Sequence, residues 1–586
     1  MLTDSPIIDS SVGSSDVSAP INDTADSQIK RTPKRLSALF TFLILIAAAV
    51  MYLTIVNADR FGGFHDDGIY VTTAKALASG NGYRIISLPG EPAETKYPPL
   101  YPFLLSLVWR AKSNFPENLR PMICLSVAAT LGFLAIVWKY LIDQAYATAG
   151  QSTIVVALTA FNSWTIVFST SAISEMFYAM LSVAALYLAD RLDRRNSEWL
   201  PGVGAGTLCG LALLTRTSGI VLILAVAVYL VLRRSWKPLL GAVSVALVCV
   251  VGWISWTYFN RTQASGVNVA FYTNYLNDVR EVVASLQTLN GASKPAVLLT
   301  IFGKNLLGLI VVSIPLVCSG LSNVWTRDSH GFVVVMSLFF VLVVFMLVVT
   351  NVIRRISSQL RLLYVYLLIY LAIHLATPYT TYDRYLVPVL PFLLLFLVSE
   401  LTRLFSSVRD QLISSRLLGD RLSGAVAALA ALATAGVLLF GYVKGIQLQT
   451  SSSAKFSAPA QEEQQLAKWI VSNTDSTDTL ICYRDPIYFL RTGRKAARSV
   501  PTALIDGALF QARQPTVEEV LQRVRSIIHE NHGRYLIVSL DDFDHLPVIY
   551  RDSFKELTSG DPATFIPVFE STSGRSTIYR IESSDG

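Results

Sequence analysis

Charge is scarce in this chain: Asp, Glu, Lys and Arg make up 15% of its 586 residues, against 52% hydrophobic residues. A soluble globular domain carries about a quarter of its residues charged, so most of this sequence is not built for water. Cysteine is scarce as well. Of the five, Cys124, Cys209, Cys249 and Cys318 lie in apolar runs and Cys482 in the polar C-terminal part, with no CxxC pair. That excludes a disulfide framework and a thiolate metal site. The net charge of +7 does not point to nucleic acid, because the basic residues come in short clusters beside apolar runs, as at Lys30, Arg31, Lys34 and Arg35. Such clusters set orientation in a membrane.

What the chain has in quantity is long apolar runs of roughly 18 to 22 residues, each enough to cross ~30 Å of hydrocarbon as a helix. With a mean hydropathy of +0.48, their recurrence predicts a polytopic α-helical membrane protein. Residues 1–35 read as a disordered cytoplasmic tail, rich in Ser, Asp and Pro, closed by the basic cluster. A first span from about Leu36 to Asn57 delivers an outer loop over 58–118. Further spans begin near Pro121, Ser152, Ala172, Leu200, Gly219, Leu239, Ala296, Gly331, Leu360, Tyr385 and Ser423. The arginines at 191, 194, 195, 233, 234, 354, 355 and 361, and the cluster from Arg403 to Arg421, read as cytoplasmic. These clusters give about eleven spans, with thirteen the alternative; the segment Ala296–Ser319, holding Lys304, Asn305 and Pro315, is the candidate that lies along the interface.

After Gln447 a Ser-rich linker leads to a soluble pattern over 455–586. A helix near Gln461–Ser472 precedes a strand at Thr479–Tyr483. A helix at Thr516–Glu530 precedes strands at Tyr535–Leu540, Thr564–Glu570 and Ser576–Ile581. This is a small α/β domain, expected outside the cell membrane.

The first outer loop is too polar to be a mere connector. It contains Phe64-His65-Asp66-Asp67-Gly68, then Thr95-Lys96-Tyr97-Pro98-Pro99. A helix from about Asp67 to Ser79 would start with acids at its positive end, so one of them can be a cap. Glu175 falls at the outer end of its span, where an acid is costly unless it is paired or lines a cavity. Arg216, in Leu214-Thr215-Arg216, and Arg384, in Asp383-Arg384-Tyr385-Leu386-Val387-Pro388, fall at outer span ends too, and snorkelling is the bland explanation for either alone. The threading puts Asp66, Asp67, Lys96, Glu175, Arg216 and Arg384 on one face. Acids opposite cations suit a reaction in which a base activates a nucleophile while a phosphate departs. In the soluble part, Asp541-Asp542-Phe543-Asp544-His545 follows a strand, as acidic loops commonly do.

Taken in order, Asp66-Asp67, Lys96-Tyr97-Pro98-Pro99, Ser174-Glu175, Leu214-Thr215-Arg216 and Asp383-Arg384-Tyr385-Leu386-Val387-Pro388 resemble the GT-C superfamily of membrane glycosyltransferases. The nearest likeness is to the branch holding the bacterial aminoarabinose transferase of lipid A, the protein O-mannosyltransferases and the RgtA/B/C/D-like proteins. The resemblance runs over about Arg35 to Phe405, and Ile481-Cys482-Tyr483-Arg484-Asp485-Pro486 with Thr492-Gly493-Arg494 looks like the tails of that branch. It implies an inverting transfer of a sugar from a polyprenyl-phosphate donor to a lipid, glycan or protein acceptor at the outer face of the cell membrane. It also implies catalytic carboxylates at Asp66 and, beside it, Asp67, with Glu175 assisting or orienting a hydroxyl. Donor phosphate contacts fall to Lys96, Arg384 and Arg216, the last replacing a lysine of some relatives. Tyr97 and Tyr385, within the same motifs, are substrate-contact candidates. No cofactor is assigned, with a divalent cation left open. A transporter or flippase of lipid-linked glycans, or a scaffold with the fold and no turnover, remains an alternative. A transporter would instead place ionisable groups near mid-span or pair broken helices.

Overall fold

The computed structural model describes residues 23–192, 198–261, 272–273, 293–309, 313–320, 361–376, 382–414, 420–500, 515–543 and 546–582. The span expected near Gly331, Arg354 and Arg355, and Asp544 and His545 lie outside them.

An apolar segment without water to satisfy its amides must bond them internally, and the described chain up to Asn473 is accordingly helix and connecting turns. Among the described residues four helices are long and apolar enough to cross a membrane: Lys34–Ile55, Leu119–Asp143, Trp236–Phe259 and Arg384–Gln411. A fifth is added if Ala149–Ala160 and Ser163–Ser169, bent by 63°, form one broken span. Other expected spans are shorter. Glu175–Ala189, Leu200–Thr215 and Gly219–Leu232 have 15, 16 and 14 residues, which reach only about 21–24 Å at 1.5 Å per residue. Polar breaks such as Thr215-Arg216-Thr217-Ser218 end them early. The Ala296–Ser319 stretch holds two short helices, Lys294–Gly308 and Ile314–Ser319.

Leu39, Phe42, Leu240 and Val248 stand exposed on the long helices, which suits lipid and would be an aggregation hazard in water. Inside, Phe133, Tyr140, Val155, Tyr178, Leu222 and Leu394 belong to one buried cluster drawn from many helices. Close approach fixes one pair of them: a Cβ on Gly206 would lie 2.2 Å from the Ala242 carbonyl oxygen. The helices Leu200–Thr215 and Trp236–Phe259 therefore touch backbone to backbone, as small residues allow in membranes.

Helix begins at Asp23, so the end of the tail expected to be disordered is ordered. In the outer loop the helix Asp66–Ala78 matches the expectation, and a second, apolar helix, Leu100–Ala111, was not separated from the loop by its sequence. The Ser-rich linker after Gln447 is absent. Asp420–Asn473 is one helix of 54 residues that runs through Pro459 and carries the expected Gln461–Ser472 helix as its end.

The C-terminal domain is a five-stranded sheet of β1 (Thr479–Cys482), β2 (Ala496–Arg498), β3 (Gly533–Ser539), β4 (Phe565–Glu570) and β5 (Ser576–Ile581), in the order β2-β1-β3-β5-β4. β1 lies parallel to β2 and β3, while β5 runs antiparallel to β3 and β4. The strands expected at 479, 535, 564 and 576 stand in place. β2 and the helices Asp485–Thr492 and Val548–Gly560 are additions. The sheet's Ile481 and Leu536 share one buried cluster with Ile69, Ile85 and Leu88 of the outer loop. That docks the domain on the outer loop, which carries part of the site described next.

Candidate active site

Four segments remote in sequence bring their charges to one place. Asp66 opens its helix, directly after His65, and Glu175 opens the helix Glu175–Ala189. Both acids thus sit at the positive end of a helix dipole. Arg216 follows the last residue of Leu200–Thr215 in an extended conformation, a cation at a negative helix end. Arg384 lies in the short helix Tyr382–Leu386, ahead of the turn Val387–Val389 and the helix Leu390–Ser414.

The side chains meet. Arg384 gives Nη2 to Asp66 Oδ2 at 2.6 Å and Nε to Glu175 Oε1. Arg216 Nη1 reaches the same Glu175 oxygen at 2.8 Å and Ser174 Oγ at 3.1 Å, and Ser174 Oγ is 2.9 Å from the Tyr70 hydroxyl. The Tyr97 hydroxyl donates to Asp66 Oδ1 at 2.6 Å. Phe64 lies under the Arg384 guanidinium, 5.6 Å from its centre. Glu175 is 2% exposed, while Asp66, Arg384 and Arg216 keep 18, 17 and 15% of their side-chain surface. The network is open on the side of the two arginines and Asp66.

Burial alone would raise the Asp66 carboxyl, but the Arg384 guanidinium and the Tyr97 hydroxyl hold it below the usual carboxylate range. Asp67 is placed otherwise. Its Oδ2 accepts from the Gly62 N–H at 2.7 Å and its Oδ1 from the Gly68 N–H at 2.8 Å, and burial pushes it up to about 6. It binds the turn before the helix to the helix itself and does not join the arginines.

Lys96 is buried next to Tyr97. Both residues' backbone N–H groups donate to Glu94 Oε1, at 2.7 and 2.9 Å. Glu94, which drew no notice in the sequence, is fully buried and pushed up to about 8 by burial, despite those bonds and the nearby Lys96. Its only sequence signal was an acid two residues before a candidate phosphate-binding lysine. The Tyr385 ring packs 5.0 Å from that of His374, and its carbonyl accepts from the Tyr370 hydroxyl at 2.7 Å. Sequence reasoning also missed Ser174 as the link between Arg216 and Tyr70, and the partner of His65, Asp485 of the C-terminal domain. Partners so far apart in sequence leave no local pattern. Among the described residues no three His, Cys, Asp or Glu side chains come together as metal ligands.

A sequence profile of the dolichyl-phosphate-mannose-protein mannosyltransferase family matches residues 96–256, a stretch that takes in Lys96, Tyr97, Glu175 and Arg216 but neither Asp66 nor Arg384. Among curated proteins no sequence match is found. Solved structures match over most of the chain. ArnT from Cupriavidus metallidurans bound to undecaprenyl phosphate superposes with a TM-score of 0.52 at 13% identity, covering 93% of this chain and 98% of that one. The oligosaccharyltransferase AglB from Archaeoglobus fulgidus, in complex with an inhibitory peptide and a dolichol-phosphate, gives 0.52 at 12%, covering 93% and 74%. The same archaeal enzyme tethered to an acceptor peptide gives 0.54 at 12%, with the same coverage. The chain is a multi-pass membrane protein whose fold is similar to that of these GT-C membrane glycosyltransferases.

Proposed function

We propose that the chain is an inverting glycosyltransferase that moves a sugar from a polyprenyl-phosphate donor to a hydroxyl of a lipid, glycan or protein acceptor at the outer face of the cell membrane. The observation that carries this reading is the convergence of Asp66, Glu175, Arg216 and Arg384 on one partly open network. The likeness to structures whose occupants include lipid phosphates supports it.

The chemistry follows from what each group can do. The donor's anomeric carbon is attacked by an acceptor oxygen from the face opposite the phosphate, so one displacement inverts configuration. Asp66 takes the acceptor proton, and cations hold the leaving phosphate, which departs as a stable anion and needs no proton. Arg384 and Arg216 are the nearest cations, with Lys96 on the neighbouring strand of loop. Before a donor arrives, Arg384 is committed to both acids. A phosphate drawing on its guanidinium would loosen the Asp66 pair, and the Asp66 carboxyl would move back toward its ordinary range, where it is a better base. Glu175 Oε2 has no hydrogen-bond partner among the described residues and suits a substrate hydroxyl. Tyr97 orients Asp66, and Tyr385 lines the approach beside Arg384.

The test is transfer by the purified chain from a polyprenyl-phosphate sugar, with the anomeric configuration of donor and product read by NMR. Inverted product with release of polyprenyl phosphate is the expected result, and retained configuration or lipid movement without transfer would defeat the reading. The proposal also puts the N-terminus in the cytoplasm and the C-terminal domain outside. A cysteine at Ser452 should then react with an impermeant reagent in whole cells, and reaction only after permeabilisation would reverse the orientation.

A further inference from the structure

His65 is the central residue of an unusual turn. Its φ is 58° and its ψ −45°, and the Asp66 N–H donates back to the Phe64 carbonyl at 2.6 Å. This is the rare, strained form of γ-turn, adopted by a residue with a bulky Cβ substituent, immediately before Asp66. Strained backbone persists only where the surroundings over-determine it, and it gathers at sites where aim matters.

The surroundings here belong to the C-terminal domain. His65 Nε2 lies 3.1 Å from Asp485 Oδ1, and Asp485, which opens the helix Asp485–Thr492 after β1, is fully buried. A carboxylate only accepts, so the proton on Nε2 faces it. Burial and Arg498 keep the imidazole below its ordinary range, hence neutral. The flanking contacts have the same direction. Arg484 Nη2 donates to the Phe61 carbonyl at 3.0 Å. A Cβ on Gly62, at φ +85°, would lie 1.7 Å from Ile487 Cδ1, and one on Gly68 2.8 Å from Pro486 Cβ. Lys495 Nζ donates to the Ile86 carbonyl at 2.7 Å, and the Ala496 N–H to the Ser87 carbonyl at 2.8 Å.

We propose that Asp485 is a positioning residue for Asp66: through its bond to His65 the C-terminal domain holds the strained turn that aims the Asp66 carboxylate at Arg384 and Tyr97. The domain is then part of the active site's frame and not a separate lid. The inference rests on the reading of Asp66 as the base.

The experiment compares His65→Ala, Asp485→Ala, their double variant and Asp485→Asn in the purified full-length chain, measuring kcat, donor KM and thermal midpoint together. A misaimed base slows the chemical step and leaves donor binding in place. Each alanine variant should therefore lose on the order of tenfold to a hundredfold in kcat, with donor KM and midpoint close to wild type. The double variant should be no worse than the worse single, since both break one bond. Asp485→Asn, which keeps an acceptor oxygen for Nε2–H, should restore most of the rate. Wild-type kcat in both alanine variants would overturn the proposal, as would losses that multiply in the double variant, or an Asp485→Asn as impaired as Asp485→Ala. Should Asp485→Ala fail to fold, His65→Ala, on the loop side of the contact, carries the test. If the wild type itself transfers no sugar, the glycosyltransferase reading fails separately. Amide exchange over Gly62–Tyr70 then decides the hold: faster in His65→Ala if Asp485 fixes the turn, unchanged if it does not.

Discussion

The first outer loop has two faces, and its acids behave differently on each. At the front, Asp66 meets the Arg384 guanidinium from a distant segment and the Tyr97 phenol from its own loop, and keeps some exposure. At the back, Asp67 and Glu94 are buried and accept from the loop's own backbone N–H groups. Their pKa values part accordingly, with Asp66 held low by Arg384 and the back pair raised by burial. Two neighbours of identical chemistry thus divide the work: the front acid can exchange its partners for a substrate, while the back acids hold the backbone that presents it.

Breaking the front should have the largest effect. Asp66→Asn keeps size and most hydrogen bonding but cannot take a proton, so transfer should fall by ~10² to 10⁴ in a protein that still inserts and folds. Normal transfer by this variant at matched expression would refute its role as base. The cations come next. Charge-assisted hydrogen bonds contribute on the order of 1.5–3 kcal/mol each, so Lys96→Ala or Arg384→Ala should weaken donor binding by roughly tenfold to a hundredfold. An unchanged donor affinity in both would remove the phosphate from this face.

At the back, Glu94 offers a test through pH. Its folded pKa of about 8 stands above the ordinary value of 4.5, so between these pH values the folded state holds a proton that the unfolded state has lost. Stability should fall as pH rises through that window, by at most about 1.4 kcal/mol per pH unit. Glu94→Gln, neutral throughout and still able to accept from the Lys96 and Tyr97 N–H groups, should lack this slope. Thermal midpoints of the two proteins should therefore diverge from pH 5 to pH 8, and parallel curves would mean that Glu94 is ionised in the folded protein.

How much of this could be read from the sequence follows from what kind of signal each part leaves. That Glu175, Arg216 and Arg384 would gather was legible, since their positions at span ends are local features, and the structure does join these three with Asp66. Four of the five strands of the C-terminal sheet were legible from their short apolar runs, and β2 was not. The pairing inside the site was not, because Arg384 serves Asp66 and Glu175 across more than two hundred residues. Nor was the 54-residue helix, whose Ser-rich middle and Pro459 read as a linker. The C-terminal domain's grip on the loop was equally silent: Asp485 and Pro486 look like an ordinary helix start unless His65 and Gly68 are seen against them.

The smallest expected effect belongs to Asp67, and it is the sharpest test of the two faces because only one position separates it from Asp66. In the folded chain both Asp67 oxygens are used by backbone N–H groups, Gly62 on one side and Gly68 on the other. Asp67→Asn keeps one acceptor oxygen and turns an NH₂ toward the second N–H, which costs a bond of the kind that caps a helix, about 1 kcal/mol. The acid is already raised to about 6 by burial, so removing its charge relieves part of that cost and keeps the net loss small. Transfer per folded molecule should then stay near wild type while the thermal midpoint drops by a few degrees, as about 1 kcal/mol does in a chain of ordinary cooperativity. If Asp67→Asn instead abolished transfer at an unchanged midpoint, the proton would be leaving through the back of the loop, and the assignment of base and clamp would have to be exchanged.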